Sequence, residues 1–493
     1  MAEAEEVTTT DRTGPRRNHR AAIGTFAVLA VAGISLTATT SAAASSLTTP
    51  TVTRTWEDIV DTQAPIALSS PVVADLQGTR AAVVGDERGY LYALSLSNGA
   101  EVRGWPVRIG GGAPIQSPPS VSGTTVFVGA GSAAEPFAGG YYAVSPTGSV
   151  LWKTTVRYQP RVAATRGVVA GLTVGTLQGI KAVVAGSLGQ FLESLTASSG
   201  TPLRGFPWFQ ADTVFSTAAL ADLYGNGHTE IIEGGDSTAG NAFHVPYANG
   251  GHIRVLATSG NATAKTPSGG LLCEYNTNQV VQSSPAVGPF LAGGAIGIVA
   301  GTGTYFTGAT ATDHLLAVNS HCGLVWSARL DGATTDSPAL IDALGNGKLQ
   351  VAEGTAAGSG GTVYLLNGAT GQVIWQHGAL GAIIGGITSV DLGGGYQDLV
   401  VPTLRGVEIL DGRTGAVVTV LETTVGVQSS PLVTDDPNGL IGITVAGYKA
   451  GGTDAGGEAV VEHFVVAHSN GARATEAGSW PEFHHDPQLS GNA

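Results

Sequence analysis

Few side chains in this 493-residue sequence could do chemistry, and the first two are its only cysteines, Cys273 and Cys322. Outside the reducing cytoplasm, two cysteines tend to pair. A disulfide between them would join neighbouring repeat units, and the alternative is two unrelated buried thiols. Neither C-x-x-C nor C-x-x-C-H occurs, so the cysteines indicate neither thioredoxin-like redox chemistry nor covalent haem attachment.

The second group is His484, His485 and Asp486 near the C-terminus. Such a triplet could bind a metal or act as a base. Pro481 and Pro487 flank it in a C-terminal tail, however, which favours a role in packing that tail to close the fold. The sequence contains no G-x-S-x-G, H-E-x-x-H or G-x-x-x-x-G-K-[ST] pattern. No glycine pair follows a strand and opens a helix, as a phosphate cradle requires. We therefore expect a protein without catalytic activity.

The elements that must position these residues form an internal repeat. One frame reads small-Pro-apolar-apolar-x-Asp, then a glycine turn, then an apolar strand ending in glycine. Eight frames occur, and they reach their last position at Asp75, Ser122, Thr176, Asp222, Pro289, Asp342, Asp391 and Asp435. Each frame continues into a third strand and a fourth strand that often carries Trp. Four short strands per roughly 40–50 residues are typical of a propeller blade.

The repeat predicts an all-β fold, a single β-propeller of eight four-stranded blades over residues 51–479. The recurring tryptophans are interpreted as packing between blades. The segment around Trp56 looks like a fourth strand without its first three, so we expect it to complete the last blade, which begins near Ser429. This pairing of N- and C-terminal strands would close the ring and remove free edges. Residues 480–493 are predicted to form a closing tail.

The N-terminus reads as an export signal over residues 1–44, followed by a short linker over 45–50. Arg16, Arg17 and Arg20 form a basic region, residues 21–36 are apolar, and residues 42–44 offer an A-x-A cleavage site. The alternative is an uncleaved membrane anchor. We expect a secreted or cell-surface protein that meets a membrane only through this segment.

Composition narrows the classes of partner. The formal net charge is −14 and only 12% of residues are charged, whereas 43% are hydrophobic. An acidic body repels nucleic acid and anionic lipid, and no stripe of Lys and Arg occurs. We expect no nucleic-acid partner, and we expect a monomer.

Four motifs carry a resemblance to known families. LYALSLSNG and YLLNGATGQVIWQ resemble the repeat of propellers related to pyrroloquinoline-quinone enzymes. DLYGNGHTEI resembles the FG-GAP/VCBS repeat of integrin-α-like propellers, and WPEFHHDPQLSGN is similar to a segment found beside such propellers in exported bacterial proteins. The resemblance covers roughly residues 50–493 and implies the fold more strongly than a function.

The resemblance implies a candidate calcium site. In FG-GAP-like loops, oxygens at alternate positions wrap a Ca²⁺ ion, which places Asp222, Asn226 and Glu230 at positions one, five and nine. Tyr224 stands where the family has Asp or Asn, so one ligand is missing. The alternative is that Asn-Gly simply makes a hairpin turn. Quinone-binding relatives use adjacent cysteines and an acidic cluster; this chain has neither, so we do not expect pyrroloquinoline quinone.

Two insertions between second and third strands carry aromatic residues: Phe243, His244 and Tyr247 in one, and Tyr305 and Phe306 in the next blade. Equivalent loops of successive blades share a face, so these are candidate ligand-binding loops, although loop drift with self-packed aromatics is the alternative. The resulting hypothesis is an exported, non-catalytic binding or scaffolding module for a protein or carbohydrate at the cell surface. The alternatives are a quinoprotein-like or carbohydrate-active enzyme and a membrane-anchored assembly or sensor module.

Overall fold

The computed structural model describes residues 50–132, 139–159, 166–238, 250–260, 269–303, 311–335, 337–436, 439–449, 457–467 and 471–493. Antiparallel strands form eight sheets. The innermost strands of successive sheets contact one another around a ring, which confirms the predicted eight-bladed β-propeller. No helix among the described residues is long and apolar enough to cross a membrane.

The first four blades are numbered from the first complete one, and their strands run from the axis outwards. Blade 1 contains β2 (Val72–Leu76), β3 (Thr79–Gly85), β4 (Tyr90–Ser95) and β5 (Val107–Arg108). Blade 2 contains β6 (Ser120–Ser122), β7 (Thr125–Ala130), β8 (Gly140–Val144) and β9 (Val150–Thr154). Blade 3 contains β10 (Thr173–Leu177), β11 (Ile180–Gly186), β12 (Phe191–Thr196) and β13 (Trp208–Phe209). Blade 4 contains β14 (Ala219–Ala221), β15 (Glu230–Asp236), β16 (Gly251–Ala257) and β17 (Leu271–Asn276).

The remaining blades follow the same order. Blade 5 contains β18 (Ala286–Gly288), the 3₁₀ turn Ala292–Gly294, β19 (Gly297–Gly301), β20 (His314–Asn319) and β21 (Leu324–Arg329). Blade 6 contains β22 (Ala339–Ile341), β23 (Gln350–Gly354), β24 (Thr362–Asn367) and β25 (Val373–Gly378). Blade 7 contains β26 (Thr388–Val390), β27 (Asp398–Thr403), β28 (Gly406–Leu410) and β29 (Val417–Leu421). Blade 8 contains β31 (Leu432–Asp436), β32 (Leu440–Lys449), β33 (Ala459–Ala467) and β1 (Thr51–Asp61), and the short β30 (Val425–Gly426) also pairs with β32.

Burial explains why the inner strands read as continuous apolar runs. Each blade is covered on both faces by its neighbours, so β3 and β19 are buried along most of their length. The outermost strands reach solvent, and β25 accordingly alternates between exposed and half-buried residues. The core therefore consists of layers between blades, not of one central cluster.

Tryptophans on or next to the outer strands join neighbouring blades at six of the eight junctions. In six cases the indole N–H donates to a backbone carbonyl of the following blade, at 2.7–3.2 Å: Trp56 to Leu96, Trp105 to Pro146, Trp152 to Ala197, Trp208 to Gly269, Trp326 to Gly368 and Trp375 to Gly412. The prediction that the recurring Trp packs between blades is confirmed. These contacts are called the rim staples below.

The ring closes as the repeat predicts. The N-terminal strand β1 pairs antiparallel with β33 and becomes the outermost strand of blade 8. Trp56 lies opposite His463 in this register, and the two rings stack with centroids 5.4 Å apart. The first strand of the chain therefore completes the last blade.

The C-terminal segment, residues 471–493, fills the axis. Between Gly478 and Ala493 it makes one circuit and accepts a backbone N–H from the innermost strand of every blade, or from the turn that follows it, in ring order. From blade 6 round to blade 5, the donor and acceptor pairs are Asp342 and Gly478, Ser389 and Trp480, Val433 and Pro481, Val73 and the Glu482 side chain, Val121 and Pro487, Val174 and Gln488, Leu220 and Ser490, and Val287 and Gly491. The donor–acceptor distances are 2.6–3.4 Å.

Candidate axial binding site

Antiparallel pairing places two kinds of connection on one face of the propeller. The loops from second to third strands and the loops from one blade to the next both emerge there, because successive strands reverse direction. We call this the upper face. The turns from first to second strands lie on the opposite, lower face.

A pocket of about 240 Å³ opens on the upper face at the propeller axis. Seven blade-connecting loops each contribute one residue just before a repeat frame: Leu68, Gln116, Val169, Phe215, Gln282, Thr335 and Ile384. Pro118, Thr217 and Ser284 complete the wall, and Phe483 of the C-terminal segment lies at the base. Blades that are far apart in sequence therefore converge on one site.

The frame residues hold this ring of loops in place. Their hydroxyl groups link neighbouring blades: Ser69 donates to the carbonyl of Ser117 at 3.2 Å, and Ser117 donates to that of Ala170 at 2.8 Å. The Thr217 hydroxyl accepts the Gly171 N–H at 2.8 Å. Because these contacts are buried and directional, they fix where each preceding side chain enters the pocket.

Among the described residues, the side chains that line the pocket carry no charge. Its wall combines aliphatic and aromatic side chains with the amides of Gln116 and Gln282 and the hydroxyls of Thr335 and Ser284. Leu68 is 41% exposed. These described lining residues can cover an apolar surface and donate or accept a few hydrogen bonds, but they offer no partner for a charge.

The base of the pocket is held by His484. Its Nδ1 lies 2.7 Å from the carbonyl oxygen of Leu489, and its Nε2 lies 2.9 Å from that of Pro285 in blade 5. Burial lowers the pKa of His484 to about 4, whereas the contacts of the ring with the two carbonyl oxygens act in the opposite direction. The structure thus confirms the packing interpretation of His484, whose ring stacks on the neighbouring Phe483.

The five aromatic-loop residues predicted to bind a ligand, Phe243, His244, Tyr247, Tyr305 and Phe306, lie outside the described residues. The strand ends that flank them do not: β15 and β19 end, and β16 and β20 begin, on the upper face. That face also carries the axial pocket.

A buried polar network anchors the start of the first of these loops. The Ser237 hydroxyl lies 2.6 Å from Nδ1 of His252, and Oε1 of Glu233 lies 3.2 Å from Nε2 of the same ring. Thr238 donates both its N–H and its hydroxyl to Asp212 at 2.6 Å. Burial lowers the pKa of His252 well below its ordinary value. This network was not predicted from the sequence.

The candidate calcium residues form a self-contained turn on the lower face. The two carboxylate oxygens of Asp222 accept the N–H groups of Asn226 and Gly227, and Glu230 accepts that of Leu223. The Gly227 N–H is the main cause that lowers the pKa of Asp222, whereas burial raises that of Glu230. Calcium binding here stays a prediction.

The Asp342 turn provides a matched comparison in the same fold. Asp342 accepts the N–H groups of Asn346 and Gly347 at the same distances as its counterpart, and Gln350 replaces the second carboxylate by accepting the Leu344 N–H. The neutral amide therefore closes the same turn. Among the described residues, no group of three or more His, Cys, Asp or Glu side chains is placed to hold a metal ion.

The disulfide prediction is confirmed. Cys273 on β17 of blade 4 bonds to Cys322 in the turn after β20 of blade 5. In its strand Cys273 occupies the position that Trp326 and Trp375 occupy in theirs. The covalent bond thus replaces a tryptophan contact at this junction.

No family model matches this chain, and no curated protein matches its sequence. Solved structures do. BamB from Moraxella catarrhalis is 14% identical with a TM-score of 0.52, and the match covers 84% of this chain and 99% of that one. The Dos1 propeller is 12% identical with a TM-score of 0.53, covering 85% and 96%. Sqt1 from Saccharomyces cerevisiae is 10% identical with a TM-score of 0.52, covering 84% and 98%.

At these identities the similarity shows the fold alone. It agrees with the eight sheets of the structure and supports the resemblance to quinone-enzyme-related propellers at the level of a β-propeller. The FG-GAP relationship and export stay predictions.

The axial pocket was not predicted from the sequence, although a signal was present. The residue before each frame differs from blade to blade while the frame recurs. Only the ring arrangement shows that these positions meet.

Proposed function

We propose that this protein is an exported, non-catalytic binding module whose axial pocket receives an uncharged group of a protein or carbohydrate partner at the cell surface. One observation carries the proposal. Seven positions that precede repeat frames vary in chemistry and converge on one pocket. Because these positions lie outside the recurring frame, we interpret their variation as specific to the pocket and not as a requirement of the blade fold.

The size of the pocket supports a small occupant. Its volume of about 240 Å³ lies below the roughly 300–1,000 Å³ of pockets that enclose drug-sized ligands. A side chain of a partner or one ring of a sugar fits that scale. Phe215 and Phe483 would cover an apolar face, while the amides of Gln116 and Gln282 would bond to hydroxyl or peptide groups.

Site-specific photocrosslinking on intact cells tests this proposal. A benzophenone amino acid is placed at Gln116 or Phe215 in the pocket, and at exposed Val373 on β25 as the matched rim control. We expect both pocket positions to give one shared adduct, which protease or glycosidase treatment assigns to protein or carbohydrate. Gln282→Trp, which fills the pocket, should remove it. Equal adducts from Val373, or none from the pocket, would contradict the proposal.

Two further measurements separate the alternatives. The intact mass and the membrane fractionation of the exported protein distinguish cleavage near residue 44 from an uncleaved anchor. Incubation with pyrroloquinoline quinone and Ca²⁺ tests the enzyme alternative, since a visible absorbance band with alcohol turnover would replace the binding-module proposal.

We also propose the Asp222 turn as a weak calcium site, with a dissociation constant on the order of 10⁻⁴–10⁻³ M, as in extracellular modules. Addition of 5 mM Ca²⁺ (about five or more times that constant) should raise the thermal midpoint of the wild type but not that of Asp222→Asn. Asp342→Asn is the matched control. An unchanged wild-type midpoint would rule the site out.

A further inference from the structure

The circuit of the C-terminal segment has the character of a bound peptide. Residues 471–493 form no strand of any blade, and their backbone carbonyls meet amides of blades in ring order. Successive acceptors Pro487, Gln488 and Ser490 serve blades 2, 3 and 4. An extended peptide in a receptor groove binds in the same way, through its main chain.

The ring presents donors for which the described residues offer no other acceptor. Within the described part of the chain, the innermost strands have no neighbouring strand on their axial side. The N–H groups of Val121, Val174 and Leu220 therefore point at the axis and donate to this segment at 2.6–3.0 Å. Buried amides without partners are strongly unfavourable, so the ring is incomplete until the segment docks.

Side chains give the groove a specific shape. Trp480 is 1% exposed and packs in the core cluster shared by blades 5, 6 and 7. Leu489, also 1% exposed, lies against Gly171, where an added Cβ would approach its Cδ1 to 2.5 Å. A Cβ added at Gly491 would likewise lie too close to the ring of His484, at 2.4 Å from Nε2. The groove thus distinguishes this sequence from a generic extended chain.

We propose that the axis of the propeller is a peptide-binding site for residues 471–493, and that this segment is a separable closing peptide that can act in cis or in trans. The chain completes blade 8 with β33 and β1, and the segment then docks across all eight blades. Because the segment also supplies Phe483 at the base of the axial pocket, its docking completes the site that the proposed function uses.

Cleavage of the folded full-length protein tests the proposal. A protease site replaces residues 468–470, between β33 and the segment, and the protein is cut after folding. Gel filtration and native mass spectrometry report whether the 23-residue peptide stays bound. A fluorescent synthetic peptide of residues 471–493 then reports exchange. The control is the same site in the exposed turn at Gly358, where strand pairing holds both products.

We expect the cleaved protein to retain the peptide one to one, to exchange it, and to show a thermal midpoint that rises with peptide concentration, as mass action requires. A peptide carrying Trp480→Ala should bind at least about 100-fold more weakly, since it loses a buried aromatic side chain. The Gly358 control should show no dependence on peptide.

Two results would overturn the proposal. If the cut protein loses the peptide yet keeps its midpoint, the ring does not need the segment. If the midpoint never responds to added peptide, or the cut protein unfolds with excess peptide present, the segment is an inseparable part of the fold. No axial ligand enters these measurements, so their outcome is independent of whether the proposed function holds.

Discussion

The rim and the axis of this propeller are held together in different ways. At the rim, each staple joins only two neighbouring blades, through an indole N–H or, between blades 4 and 5, a disulfide. At the axis, one segment bonds all eight blades. Rim contacts should therefore behave as separate contributions, whereas axial contacts should fail together.

The largest effect is expected from ending the chain at Ser479. This change removes seven of the eight acceptors that bond to inward-facing N–H groups and leaves only the carbonyl of Gly478. The loss of these bonds costs about 1 kcal/mol each, and the loss of the buried side chains of Trp480 and Leu489 costs about 2–5 kcal/mol each. The sum is comparable to the whole stability of a typical domain, about 5–15 kcal/mol. Without added peptide of residues 471–493, we expect no cooperative urea unfolding transition.

A shorter truncation is the control. Deleting residues 492 and 493 removes the bond from the Ala493 N–H to Val287 and should cost about 1 kcal/mol. A cooperative transition of wild-type midpoint in the long truncation would show that the axis is no more collective than the rim.

Removing one rim staple should cost less. Trp326→Ala deletes a side chain that is 7% exposed and bonded to Gly368, and we expect a loss of about 3–5 kcal/mol. Trp326→Phe keeps most of the apolar contact and should lose only about 1 kcal/mol. Combining Trp326→Ala with Trp152→Ala tests independence, because additive losses in urea unfolding are expected for junctions this far apart.

The disulfide should contribute slightly less than a tryptophan staple. Cys273→Ser with Cys322→Ser opens a link with a sequence separation of 49, and we expect a loss of about 2–4 kcal/mol. The wild type in reducing agent should show the same loss, while reducing agent leaves the double variant unchanged. A double variant as stable as the oxidised wild type would show that packing alone secures this junction.

The smallest effect is expected from the protonation of buried carboxyl groups, one between two blades and one at the axis. Burial raises the pKa of Glu193, between blades 2 and 3, to about 7 from 4.5, although Arg157 at 3.8 Å opposes it. Burial also raises the pKa of Glu482, on the axis, well above its ordinary value. Between pH 4.5 and 7 the folded protein holds a proton at Glu193 that the unfolded chain has released. Stability should therefore fall as pH rises through that window.

Glu193→Gln should remove this pH dependence. Between pH 5 and pH 8 the wild type should lose about 2–3 kcal/mol of stability that the variant keeps. Exposed Glu422→Gln is the control and should leave the pH profile unchanged. Urea unfolding at both pH values measures the difference. If Glu193→Gln keeps the pH dependence of stability of the wild type, another group is responsible, and Glu482 is the next to test.

The rim was largely predictable from sequence, and the candidate site was not. The Trp-bearing fourth strands and the closing role of Trp56 followed from repeat positions, because equivalent positions in successive blades meet equivalent neighbours. The Cys273–Cys322 pair followed from the tendency of two cysteines to pair outside the cytoplasm. The pocket residue Phe215 and its counterparts lie outside the recurring frame. They gain meaning only when loops from separate blades converge.

The path of the C-terminal segment was likewise not predictable from the sequence. The sequence identified His484 as a packing residue in a tail, but not the circuit around the axis. Seven of the eight bonds of that circuit join backbone carbonyls to backbone amides, and these groups leave no mark on the pattern of side chains.

Local chemistry thus determined the blades: strand alternation, glycine turns and the tryptophan positions are properties of short segments and repeat with them. The tertiary structure alone decided where the tail runs and which residues share a pocket. Both depend on groups far apart in the chain, which only the closed ring brings within hydrogen-bonding distance of one another.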